Sequence, residues 1–247
     1  MTSRVTIAAA AAGSGTVLEE LAGTEPWRPR ILGDGRVALV QSRASIVRGD
    51  AVDLCVHVGE GATLELVELG ATLTHDARGG AAAAISVEVV VGDGASLTWL
   101  AAPVVVARGA AVERTARIEL TGSARVLLGE SVVLGRAREP CGALTTRTRI
   151  LRDGRPVLDE TLDTGDAGSL RSAVVAGAAG VIAGLTLAGV RDEDPPPGAM
   201  QAHGEATLWR AAGGAVEVAR SAGVVAERWR GVLGERVQLM LPRVTAH

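Results

Sequence analysis

The sequence contains no phenylalanine and no tyrosine, and lysine and asparagine are missing as well, so that all 25 basic residues are arginine. A core built from it must be filled by Val, Leu, Ile and Ala, with Trp27, Trp99, Trp209 and Trp229 as the large rings. The net charge is -3 and no run of basic residues supplies a phosphate footprint, which argues against nucleic acid as a partner. Cysteine is scarce too: Cys55 and Cys141 form no ligand or redox motif and read as ordinary cytosolic thiols. Near the start, Arg4 is the one positive charge and Ala8 to Ala12 is too short for a signal sequence, so a cytoplasmic location is expected. Ala173 to Val190 has no charged residue, but its glycines, including Gly180 and Gly184, dilute it; it reads as buried strand broken by glycine, with no membrane span.

Glycine, at 32 residues, and short alternating apolar runs are what the chain does have, and together they predict many strands with tight turns. Thr2 to Ile7 and Thr16 to Leu21 alternate around Gly13-Ser14-Gly15. Pro26 to Leu32 is extended, and Gly33-Asp34-Gly35 turns it back into Val37 to Gln41. Asp50 to Val58 has Val52, Leu54, Val56 and Val58 on one face and Asp53, Cys55 and His57 on the other. Asp153-Gly154 predicts a hairpin joining Thr145–Arg152 to Pro156–Asp163. Thr72 to Gly80 reads as a loop in which His75-Asp76 is a weak metal candidate, and Asp192 to Gly198, with three prolines, as an exposed loop. Gly204–Trp209 and Ala215–Arg220 suggest a last hairpin around Gly213-Gly214, Val224 to Leu233 has helical spacing, and Val237 to Leu241 a closing strand.

An internal echo organises these strands. Gly59-Glu60-Gly61-Ala62-Thr63-Leu64 recurs as Gly92-Asp93-Gly94-Ala95-Ser96-Leu97, and more loosely as Thr121-Gly122-Ser123-Ala124-Arg125-Val126. Each copy is a turn feeding a strand. The spacing is uneven, so the expectation is a mainly β, irregular β-helix-like stack of short strands, with one or two short helices, the clearest near the C-terminus, in a single domain over 1–247.

Some acids break the pattern. On Arg125 to Leu134, Glu130 shares a face with Val126, Leu128, Val132 and Leu134. On Pro156 to Asp163, Glu160 shares one with Leu158 and Leu162. Asp50 heads the apolar face of its strand, and Glu68 has the parity of Leu64 and Leu66. Glu88 and Glu119, by contrast, face away from their apolar neighbours. A carboxylate facing a core is costly unless it is paired, lines a wet cavity or holds a metal. Three readings remain open on the residues alone: acids that line a wet cavity or hold a metal, a β-helix scaffold of a metal-assembly system such as iron–sulfur assembly, or a carbohydrate-active β-helix enzyme using two acids. Cys55 and His57 offer little to the second, and the missing aromatics and lysines count against the third.

The order of these segments resembles the UreD family of urease accessory proteins, called UreH in some organisms. Leu97-Thr98-Trp99-Leu100-Ala101-Ala102-Pro103 is similar to the family's "LEWLPQP", and Arg108-Gly109-Ala110 to its "FPGA". Leu127 to Arg136 resembles "LLxWExLxLGRP", Leu158-Asp159-Glu160 falls at "LVER", and Ile46 to Asp50 at "GGLVGGD". Arg48 departs from that last motif by replacing a glycine. The resemblance implies a non-enzymatic scaffold that binds UreF, UreG and apo-urease in a dimeric UreD–UreF–UreG complex. It also implies passage of transient nickel, with no tightly bound cofactor, through an internal water-filled channel whose acids match Asp50, Glu130 and Glu160. Carboxylates spaced along a wet passage suit binding and release of Ni²⁺ better than a tight histidine cluster does.

Overall fold

The echoed turns are the corners of a coil. In a computed structural model, which describes residues 2–76, 80–165, 170–172 and 176–234, the strands run in chain order as follows. They are β1 (Thr2–Ala12), β2 (Gly15–Ala22), β3 (Trp27–Gly33), β4 (Arg36–Gln41), β5 (Ile46–Val47), β6 (Ala51–Val58), β7 (Thr63–Leu69), β8 (Thr72–His75) and β9 (Ala83–Val91). Then come β10 (Ser96–Leu100), β11 (Val104–Val106), β12 (Ala111–Leu120), β13 (Arg125–Val133), β14 (Ala143–Arg152), β15 (Arg155–Asp163), β16 (Val181–Ala188), β17 (Ala199–Gln201) and β18 (Ala206–Gly213). A helix, α1, spans Ala215–Leu233. The three corners carry the chain from β6 to β7, from β9 to β10 and from β12 to β13, each time from one sheet to the other.

Among the described residues the first sheet has the order β15-β14-β12-β9-β6-β1-β2, and the path of the second runs β17-β18-β16-β13-β10-β7-β4-β3, with β5, β8 and β11 attached to it. Strands from successive coils pair in parallel: β6 with β9, β9 with β12 and β12 with β14 in the first sheet, and β7 with β10 and β10 with β13 in the second. Thr63, Ser96 and Arg125 stand level in register. Hydrogen bonds pass from corner to corner: the Ser96 amide donates to the Ala62 carbonyl at 2.9 Å and the Arg125 amide to that of Ala95 at 3.0 Å. Ala62, Ala95 and Ala124, one at each corner, are fully buried. The turn requires a left-handed residue, supplied at Gly61 (φ 66°) and Gly94 (φ 68°) but one position earlier, at Gly122 (φ 55°), in the loose third copy. The coil is irregular because antiparallel strands close it: β1 with β2 and β3 with β4 at the beginning, β14 with β15 and β13 with β16 later.

The core lies between the sheets. Val52, Leu54, Val56 and Val58 are buried in it while Asp53, Cys55 and His57 of β6 are not, as period two requires. β13 departs from alternation: Val126, Leu127 and Leu128 are all buried. The reason is α1, which covers the outer face of the second sheet by packing Val225, Ala226, Trp229 and Leu233 on Leu127, Leu185, Leu187 and Trp209. A sheet covered on both faces uses continuous apolar runs.

Four expectations need correction. Ala215–Arg220 is the opening of α1 and not a hairpin strand; Val218 lies on the same buried face as Val225, Ala226 and Trp229, so the helical period starts earlier than Val224, and the helix is 19 residues long. Gly213-Gly214 does not turn a hairpin but ends β18 and caps the helix, Gly214 being extended (φ -71°, ψ 145°). Thr72–His75, expected in a loop, is β8, lying in parallel between β5 and β11; its buried residues are Thr72 and Thr74, whose polarity hid the alternation. Asp192, expected on an exposed loop, is only 3% exposed. β16 occupies part of the charge-free run as expected, whereas residues 173–175 and the closing strand at Val237 to Leu241 lie outside the described residues. No described helix is long and apolar enough to cross a membrane.

Candidate functional site

At the ends of the strands remote from the corners the two sheets enclose a cavity of about 170 Å³. Its walls mix Trp27, Trp99, Ile85 and Leu144 with an unusual charged set: Glu68, Glu130, Glu160, Arg114 and Arg210. A cavity of this size and polarity holds several waters.

The five charged side chains come from five strands. Glu130, on β13, stands in register with Gly184 on β16, which stands in register with Arg210 on β18. Gly184 has no side chain to obstruct this row; a β-carbon there would sit 3.0 Å from Cδ, Nε and Cζ of Arg210, so the arginine lies across the glycine. From there Arg210 reaches Glu160 on β15 with a forked pair, Nε to Oε1 at 2.9 Å and a shorter contact from Nη2 to Oε2. Arg210 Nη1 also donates to the carbonyls of Leu185 (2.8 Å) and Trp209 (2.9 Å), and Nη2 to Thr186 Oγ1 (3.3 Å). Opposite, in the first sheet, Arg114 on β12 makes a short ion pair with Glu130 Oε1 and donates to Thr146 Oγ1 at 3.3 Å. Thr148 Oγ1 donates to the second oxygen of Glu130 at 3.0 Å. Thr148 also stands directly across from Glu160 in the β14–β15 ladder, which places the Glu160 face toward the cavity.

Glu68, near the end of β7, is held differently. Trp99 Nε1 donates to its Oε1 at 2.9 Å, and among the described residues no arginine forms a salt bridge with it. Burial therefore dominates and pushes its carboxyl up to about 7; the Trp99 hydrogen bond and the charge of Arg114 pull it down but do not win, and the nearby charge of Glu130 adds to the rise.

The acids singled out by parity thus divide. Glu130 and Glu160 line the same cavity, their side chains 31% and 44% exposed. Asp50 does not line it. Its side chain is 7% exposed and accepts from Arg43 Nη2 at 2.6 Å and from the Val47 amide at 2.9 Å, closing the turn that leads into β6. Among the described residues no three His, Cys, Asp or Glu side chains are grouped closely enough to hold a metal ion, so the cavity acids are separate carboxylates, and His75-Asp76 gains no third ligand. Glu68 shows the parity signal that singled out Glu130. Arg114 has the same parity, sharing a face of β12 with Val112, Ala116 and Ile118, and a lone arginine on an apolar face is the signal that marks it.

Comparison with known proteins accords with this architecture. The family described as UreD urease accessory protein matches residues 2–247. Urease accessory protein UreD 1 of Streptomyces griseus is 40% identical over 161 residues, covering 65% of this chain and 63% of the relative. UreD 2 of Saccharopolyspora erythraea is 35% identical over 147 residues, 58% of this chain and 52% of the relative; the chain thus spans less than two thirds of the length of either protein. UreD 3 of Streptomyces griseus is 35% identical over 242 residues, 94% of this chain and 93% of the relative. Matched along almost its whole length, the chain belongs to the UreD family of urease accessory proteins, a family of accessory proteins and not of enzymes.

Proposed function

We propose that this chain assists urease maturation by passing nickel through the cavity between its two sheets, with Glu130 and Glu160 as transient carboxylate ligands. The observation that carries the reading is that these two acids, from different sheets, face one water-accessible cavity. Separate oxygen donors bind Ni²⁺ weakly and release it, which suits cargo better than storage. Asp50 enters the proposal only as the acid that shapes the turn before β6, since Arg43 and the Val47 amide occupy it. The partners proposed are UreF, UreG and apo-urease in the cytoplasm, as the family resemblance implies. Exposed apolar residues at Val17, Ile31, Leu32 and Leu69 are in keeping with a protein that works in a complex.

The test replaces the acids and measures urease activation with partner co-purification as the control. Glu130→Leu and Glu160→Leu should each lower activation severalfold while the variant still co-purifies with a UreF-like partner. Full activation by both variants, with normal complex formation, overturns the passage.

A further inference from the structure

Both proposed ligands are already occupied by internal cations. Glu130 is paired with Arg114, whose side chain is 11% exposed, and Glu160 with Arg210, at 26%. Three carboxylates and two guanidiniums leave the cavity with one formal negative charge, on Glu68, when that acid is ionised. A divalent cation entering it would meet two acids already paired with guanidiniums, one of them through a fork. For either acid to bind the cation, its arginine must let go.

Each guanidinium has neutral acceptors besides its acid, and these lower the cost of release. Arg210 keeps the Leu185 and Trp209 carbonyls and Thr186 Oγ1 as acceptors when it leaves Glu160, and Arg114 keeps Thr146 Oγ1. A guanidinium with alternative acceptors loses little on moving, whereas one with none would leave donors unsatisfied. Gly184 leaves the space over which Arg210 lies.

Resting on the passage reading above, we infer that Arg114 and Arg210 are two latches that keep the cavity acids from divalent cations, so that nickel is taken up only when the guanidiniums swing off Glu130 and Glu160. The latches set how tightly the passage holds its cargo, and they disfavour adventitious cations that cannot compete with an arginine fork.

The experiment titrates Ni²⁺ alone into the purified full-length chain by calorimetry, comparing wild type with Arg114→Gln and Arg210→Gln and following the fold of each by circular dichroism. Each variant should bind Ni²⁺ about tenfold more tightly, a change of about 1.4 kcal/mol. Adding Glu130→Gln to Arg114→Gln, or Glu160→Gln to Arg210→Gln, should abolish the gain, because each arginine acts through its own acid. The two arms are independent, so a variant that fails to fold leaves the other to decide. Binding no tighter than wild type in the folded variants, or a gain that survives removal of the paired acid, overturns the latch. The passage reading fails by a separate result: unimpaired urease activation by Glu130→Leu and Glu160→Leu, whatever the arginine variants do.

Discussion

Among the described residues two carboxylates accept from tryptophan indoles, and they behave in opposite ways. In the clasp that fastens α1, Trp229 Nε1 donates to Asp192 Oδ2 at 3.0 Å, and Arg228 grips the same carboxylate at 2.6 and 3.0 Å. The Arg228 hydrogen bonds hold the Asp192 carboxyl below its usual range despite its burial. In the cavity, Trp99 donates to Glu68 at 2.9 Å, but the neighbouring arginine is committed to Glu130, and burial drives Glu68 up to about 7. Hydrogen bonds from the Trp99 indole and the Ala102 backbone do not outweigh burial at Glu68, whereas a directly paired guanidinium does at Asp192. The clasp is therefore a fastening, and the cavity a place where charge is left incompletely matched.

The hardest blow to this comparison is Asp192→Ala. It leaves the Trp229 indole N–H buried without an acceptor and Arg228 with only the exposed Asp194, and should lower stability by about 2 kcal/mol in urea unfolding at pH 7. Because the folded carboxyl is depressed, its contribution is present above the unfolded value near 3.8 and is lost as pH falls through the lower folded value. The gap between wild type and variant should accordingly close only in strong acid. A gap that closes already near neutral pH would show that the clasp is not an ion pair.

A smaller effect of opposite sign is expected for Glu68→Gln. Raised from 4.5 to about 7, this carboxyl binds its proton more tightly in the folded state, so wild-type stability falls as pH rises from about 4.5 through about 7. At pH 8 the glutamine variant should be more stable by on the order of 1–2 kcal/mol, less than the full shift implies because the cavity is wet, and at pH 4.5 the difference should vanish. Thermal melts at the two pH values decide it; a variant less stable than wild type at pH 8 would mean that Glu68 is satisfied by a partner after all. The smallest change is expected from Trp99→Phe, which removes the donor that lowers the Glu68 carboxyl. Its titration midpoint, followed by carboxyl NMR, should move further up. An unmoved midpoint would mean that the indole plays no part in the balance.

Period two and turn chemistry made much of the architecture legible. Leu54 and its alternating neighbours marked the inner face of β6, the echoed Gly59, Gly92 and Thr121 turns marked the corners, and Asp153-Gly154 marked the β14–β15 hairpin. The start of α1 was not legible, because Gly213-Gly214 looks the same whether it turns a hairpin or caps a helix. Thr74 concealed β8 because a threonine can be buried when its hydroxyl is satisfied, here by the Val105 carbonyl at 3.1 Å. For the acids, parity told which face each side chain occupies but not what lies opposite. Asp50 meets Arg43 in a closed turn and Glu130 meets a cavity, and that difference depends on strands distant in sequence. The same limit hid Asp192, whose arginine lies 36 positions away.

The hairpin strands at the two margins of the first sheet have a consequence for the protein as a particle among its own copies. A parallel coil could in principle grow without limit, each rung offering its free edge to another molecule. Among the described residues β2, with Glu19 and Glu20, and β15, with Pro156 and the charged residues Arg155 and Asp159, occupy those margins. A proline cannot donate to a new ladder, and charges facing an incoming strand repel or hydrate it. Both described margins of the first sheet are thus poor templates for a further strand, and a crowded solution of such molecules is discouraged from stacking into filaments along that sheet.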